Sequence, residues 1–173
     1  MVGNLTHGRK GQEDVWEEMG RLADDAQEKK AFLLDAVDRD TDAFNRVMDA
    51  MRIRAKTDEE KAEKDAALRE ANRGATLVPL EVLERCLPVF GLARRAAERG
   101  NPNSLSDAGV AGLCAMARAE AAWYNVLINL NGIEGDAEWV QSTRKRADDA
   151  LAEAEKLAAG LRDLVRERLR SAG

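Results

Sequence analysis

Two asparagines four residues apart, Asn125 and Asn129, lie in the apolar run Tyr124-Asn125-Val126-Leu127-Ile128-Asn129-Leu130. At that spacing they share one face of a helix. The residues around them are of the kind that become buried, and a buried amide without a partner is costly. The pattern expects something polar against this helix, either a partner helix or a ligand. Asp40 repeats the anomaly. Leu33, Val37, Asp40, Phe44 and Val47 recur at offsets of three and four, which puts the Asp40 carboxylate on an apolar stripe. Asp35, Asp38 and Asp42 fall off that stripe. A carboxylate facing a core has a perturbed pKa, and such groups serve as general acids or bases. An ion pair with an arginine of a neighbouring helix is the commoner use of a buried carboxylate. On the later helix Asp107, Val110, Cys114, Ala117, Ala121, Asn125 and Ile128 form a comparable stripe. Asp107 also suits the positive end of a helix dipole. Two helices that each offer polar groups from an apolar face make a polar pocket with dry walls.

The elements that must position these groups are all helices. Leu, Ala, Glu, Arg and Lys dominate the 173 residues, with Pro, Phe and Tyr scarce. Apolar periodicity predicts one long helix over 12–52, roughly 60 Å at about 1.5 Å per residue. Thr57-Asp58-Glu59-Glu60 is a capping box opening a second helix, which runs to about Gly74. Pro79 then opens a third helix or kinks a continuing one, and Pro88 adds a bend. Gly100-Asn101-Pro102-Asn103 is the clearest break. A helix capped by Ser104 or Ser106 runs to about Leu130, Asn131-Gly132 ends it, and an amphipathic helix fills 136–170. Met1 to Thr6 reads as the tail of a helix, His7 as its end and Gly8 as its stop. The expected architecture is all-α, a single antiparallel bundle of about five helices over 1–173.

Several chemistries are set aside. A net charge of -5 is a poor match for nonspecific nucleic-acid binding. No stretch approaches the roughly 18 apolar residues of a membrane span, and no secretory signal is visible, so the chain reads as cytoplasmic. One histidine cannot build a usual zinc site, and there is no Glu-x-x-His pair, phosphate loop or Cys-x-x-Cys. No metal is expected. Cys86 and Cys114 read as two buried reduced thiols.

Four stretches in order carry a family resemblance: Met1-Val2-Gly3-Asn4-Leu5-Thr6; Val37-Asp38-Arg39-Asp40-Thr41-Asp42-Ala43-Phe44; Val78-Pro79-Leu80; and Ser106-Asp107 followed by Tyr124 to Leu130. The chain resembles the cyclodeaminase domain of formiminotransferase-cyclodeaminase and the free-standing folate cyclodeaminase/cyclohydrolase proteins. The resemblance implies an all-helical homodimer that converts 5-formiminotetrahydrofolate to 5,10-methenyltetrahydrofolate and ammonia in histidine degradation. It implies a tetrahydrofolate derivative as substrate, with no covalently held cofactor. It makes Asp40 the catalytic group, and Asn125, Asn129, Asp107 and Asn4 are then read as substrate-binding residues. Relatives carry a helical segment with a Pro-Gly-Gly-Gly-Ser loop ahead of the Met1 stretch, so an N-terminal segment is expected to be missing here.

Three functions follow as alternatives. The first is the cyclodeaminase. The second is methenyltetrahydrofolate cyclohydrolase, which opens the ring with water in a similar pocket. The third is a non-catalytic helical interaction module. Arg52, Arg54, Lys56, Arg73 and Arg144 are basic candidates for a polyglutamate tail, although most such residues are ordinary solvated charges.

Overall fold

The computed structural model describes residues 1–171, which form helices and connecting turns with no strand. α1 is Val2–Thr6. A 3-10 turn at Glu13–Val15 leads into α2, Trp16–Arg52. α3 is Asp58–Arg99, α4 Leu105–Leu130 and α5 Ala137–Ser171. The sequence pattern predicted five helices with one very long one, and this is the architecture found. α3 is the axis of the bundle: α2, α4 and α5 all pack on it, while α2 and α4 scarcely touch each other.

The expected end near Gly74 is corrected. α3 continues without interruption through Gly74, Pro79 and Pro88 for 42 residues. A helix that packs on three neighbours gains more from burial than its two prolines cost. Its start is as expected. Glu60 N–H donates to Thr57 Oγ1 at 3.2 Å, and Glu60 Oε2 accepts from Thr57 N–H at 3.1 Å and Lys56 N–H at 2.6 Å. Those backbone donors, Lys56 first and then Thr57, hold the Glu60 carboxyl below its usual range.

Small residues make the seams. α2 turns Ala36, Ala43, Val47 and Ala50 inward, and α4 turns Ala108, Ala115, Ala119, Ala122 and Val126 inward. α5 adds Ala147, Ala150 and Ala154. A Cβ built on Gly112 of α4 would lie 2.4 Å from Leu161 Cδ2 of α5, so the two helices meet where a side chain is missing. Large side chains fill the centre from α3, with Leu80, Leu83 and Phe90 fully buried.

This overturns the direction of both stripes. Val37 and Phe44 are 56% and 61% exposed, and Val110 and Ile128 are 55% and 65% exposed. The apolar periodicity is real, but Val37, Phe44, Val110 and Ile128 face outward while Val47 turns in, because close helix packing on α3 takes the alanine faces of α2 and α4. Asp40 and Asn125 share those outward stripes and are exposed. Cys86 is buried as expected, and burial pushes its thiol pKa up against the pull of Arg118. Cys114 is exposed on the outward face of α4, contrary to expectation.

α1 is tied down despite its five residues. Its Thr6 Oγ1 donates to Val2 O and accepts from Asn101 N–H, both at 2.8 Å. A Cβ on Gly3 would lie 2.8 Å from Met19 O, so only glycine lets α1 sit this close to α2. The turn after it is closed by Gly8 at φ 82°, the stop that the sequence suggested. At the far end, α3 grips the loop after α4. Asn72 Nδ2 donates to Gly132 O at 2.8 Å, and Arg69 Nε donates to Glu134 O at 3.1 Å. Arg73 pairs with Asp136 and lies over the Trp139 ring.

Candidate active-site groove

Because α2 and α4 flank α3 without closing on each other, a groove runs along α3 between them. One end is a hollow of about 630 Å³ beside Met1. Asn4 of α1, Leu22, Leu33 and Leu34 of α2, Leu92 and Ala96 of α3, and Asp107 and Val110 of α4 line it. Its volume is in the range of small-molecule sites, and its walls are mostly apolar with a few polar groups. Asn4 is exposed and Asp107 half-buried, so both present polar atoms to it.

Asp40 lies further along the groove. Its neighbour Arg39 donates through Nη2 to Glu81 Oε2 of α3 at 2.6 Å. One turn on, Ala43 and Val47 pack with Ala75 and Val78 of α3. Asp40 therefore stands beside the 78–82 stretch of α3. On the other flank Asn129 Nδ2 donates to Ala75 O at 2.8 Å. α4 runs antiparallel to α3, so Asn125, one turn before Asn129, lies opposite about residue 79. By that count the Asp40 and Asn125 backbones both lie within about a turn of the 78–82 stretch of α3.

The five candidates do not form one cluster. Asp107 and Asn125 are 18 positions apart on one straight helix, roughly 27 Å. Asn4 and Asp107 belong to the hollow, whereas Asp40, Asn125 and Asn129 lie outside it. Asp40 faces outward in the single chain rather than into the core. Asn129 is half-buried and has its amide nitrogen spent on α3, which is the helix-to-helix use of such an amide. Among the described residues no side-chain hydrogen bond is made by Asn125, which is exposed.

Two residues at the hollow escaped the sequence reading. Lys29 and Lys30 line it. Their signal was present, since they precede Leu33 by four and three positions and so flank the apolar stripe. Arg73, one of the basic candidates, is instead committed to Asp136. Among the described residues no three His, Cys, Asp or Glu side chains come together to hold a metal. No helix among them is long and apolar enough to cross a membrane.

The described residues form an all-helical bundle with an open hollow between helices, and a fold alone does not fix an activity. Comparison with known proteins narrows it. The formiminotransferase-cyclodeaminase family model matches residues 1–149. The chain is 36% identical to the methenyltetrahydrofolate cyclohydrolase of Methylorubrum extorquens, over 98% of this chain and 81% of that protein. It is 33% identical to the rat formimidoyltransferase-cyclodeaminase over 92% of this chain, but spans only 29% of that longer protein. The crystal structure of formiminotetrahydrofolate cyclodeaminase from Thermotoga maritima superposes with a TM-score of 0.77 at 30% identity, covering 99% of this chain and 79% of that one. The chain belongs to the formiminotransferase-cyclodeaminase family.

Proposed function

We propose that the chain acts on the one-carbon unit of a tetrahydrofolate as a formiminotetrahydrofolate cyclodeaminase, releasing ammonia and forming 5,10-methenyltetrahydrofolate. The observation that carries this reading is the match of residues 1–149 to the formiminotransferase-cyclodeaminase family model, and the exposed Asp40 and Asn125 near the 78–82 stretch of α3 are in keeping with it. In the reaction N10 attacks the formimino carbon and closes a five-membered ring. The tetrahedral centre must then expel ammonia, which leaves poorly unless protonated. Holding N10 against the carbon supplies proximity. Asp40 relays the N10 proton to the departing nitrogen. Asn125 orients the substrate through its amide. Asn4 and Asp107 hold a more distant part of the same ligand along the groove, where Lys29 and Lys30 suit the carboxylates of a glutamate tail.

A second reading has its own support. The Methylorubrum relative is named a methenyltetrahydrofolate cyclohydrolase. In that reaction Asp40 would take the proton from the attacking water. The deciding experiment incubates the purified chain with each folate. Ammonia release from 5-formiminotetrahydrofolate supports the first reading; hydrolysis of methenyltetrahydrofolate without ammonia release supports the second. Turnover of neither sinks both for this chain and leaves the interaction module.

The working unit we propose is a homodimer of cytoplasmic chains. The outward stripes of α2 and α4 support it, since a single chain leaves Val37, Phe44, Val110 and Ile128 largely in water. Burial of those stripes in a dimer would also remove Asp40 from bulk solvent, which general acid-base work at a carboxylate favours.

A further inference from the structure

A proline at position 79 has no N–H to give. In a continuous α-helix the carbonyl four residues earlier, at Ala75, is therefore left without its ladder donor. α3 nonetheless runs unbroken through this point, with both Ala75 and Pro79 buried. Burial makes an unmet carbonyl expensive, because water is not there to replace the donor. The donor that arrives is Asn129 Nδ2, 2.8 Å from Ala75 O and 54 residues further along the chain.

We propose that Asn129 is a positioning residue whose amide replaces the helical N–H that Pro79 lacks, locking the register of α4, and so of Asn125, against the stretch of α3 beside Asp40. A carbonyl cannot donate, so the bond also fixes which way round the amide sits, with Nδ2 on α3 and Oδ1 turned away. The same seam continues below it. Asn72 Nδ2 holds Gly132 O, and Arg69 Nε holds Glu134 O. Those two bonds secure the loop after α4, whereas the Asn129 bond acts within α4 itself, one turn from Asn125. Two motifs distant in sequence, Val78-Pro79-Leu80 and Asn125 to Asn129, become two halves of one device: the proline opens an acceptor and the asparagine closes on it.

A thermodynamic cycle tests the lock. Wild type, P79A, N129A and P79A/N129A are compared by thermal unfolding. With Pro79 present, N129A leaves Ala75 O unmet, and Tm falls by roughly 2–10 °C. In the P79A background a ladder N–H takes the carbonyl, and the same asparagine change lowers Tm by less than a third as much. Equal falls in both backgrounds overturn the lock. The kinetic arm rests on the reading of Asp40 and Asn125 as the reacting end of the groove. N129A should lower kcat by about tenfold or more with a smaller change in KM, and P79A/N129A should recover most of it. A kcat that stays low in the double variant overturns the positioning role and assigns Asn129 to direct contact with substrate. If no folate turns over in any of the four proteins, the proposed function fails, while the unfolding comparison still decides the lock.

Discussion

Asp40 sits in the open in the single chain, and that exposure separates its proposed role in catalysis from any role in holding the fold. In the dissociated chain D40N should leave the melting temperature almost unchanged, because substitutions at exposed positions move stability by only about 0.5 kcal/mol. The same variant should lose roughly 10²- to 10⁴-fold in kcat on whichever folate is turned over, the usual weight of a general acid-base group. Full turnover in a folded D40N protein would remove Asp40 from the mechanism. The two thiols give a second residue-level check. Cys114 is exposed, whereas Cys86 is buried with its pKa raised by burial. A thiol reagent at neutral pH should therefore modify one cysteine per dissociated chain quickly and the other only on unfolding. Rapid double labelling of the native chain would mean that the α3 core opens readily at Cys86.

At the scale of helices, the clearest dependence belongs to the start of α3. Thr57 and Glu60 cap it reciprocally, and T57A should cost about 1 kcal/mol, read as a loss of roughly 2–4 °C in Tm. The Glu60 carboxyl has a pKa lowered by the Lys56 and Thr57 N–H groups. Its contribution is therefore fully present above the unfolded carboxylate value, about 4.3, and is lost as pH falls through the lower folded value. E60Q should blunt that acid-side loss, and an unchanged acid limb would show that the box contributes nothing measurable.

Element existence was legible in the sequence because Thr57-Asp58-Glu59-Glu60, Gly100-Asn101-Pro102 and Asn131-Gly132 are local signals that act where they stand. The continuity of α3 was not legible. Pro79 is a breaker by itself, and what offsets it is packing from three other helices. Nor was the facing of α2 and α4. Periodicity finds a stripe of large apolar residues, but it cannot say whether the bundle buries that stripe or the alanine face beside it. Asp40 and Asn125 could be picked out as anomalies for the same reason that their burial was misjudged: both lie on the apolar face that the single chain leaves uncovered.

The whole molecule poses the question of what covers that face. If two chains cover it, light scattering at micromolar concentration should give the mass of two chains. F44E or I128E should then shift the protein to one chain, since a charge buried in an apolar interface is strongly disfavoured. Cys114, next to Leu113 on the same face, should react slowly in the dimer and quickly in those variants. A wild-type protein that stays a single chain at tens of micromolar would sink the homodimer.

The alanine seams reverse the usual ranking of tolerance to mutation. In a core of large side chains, the damaging change removes atoms. Here Ala43, Ala119, Ala122, Ala147 and Ala154 are buried where helix backbones approach closely. The damaging change at such points adds atoms, and each added methyl group must move a whole helix rather than a neighbouring side chain. In a saturation library the intolerant sites should therefore be the smallest residues, with Ala-to-Val and Ala-to-Leu among the most depleted substitutions. The bulky residues of the outward stripes should instead be depleted only to the degree that a second chain uses them.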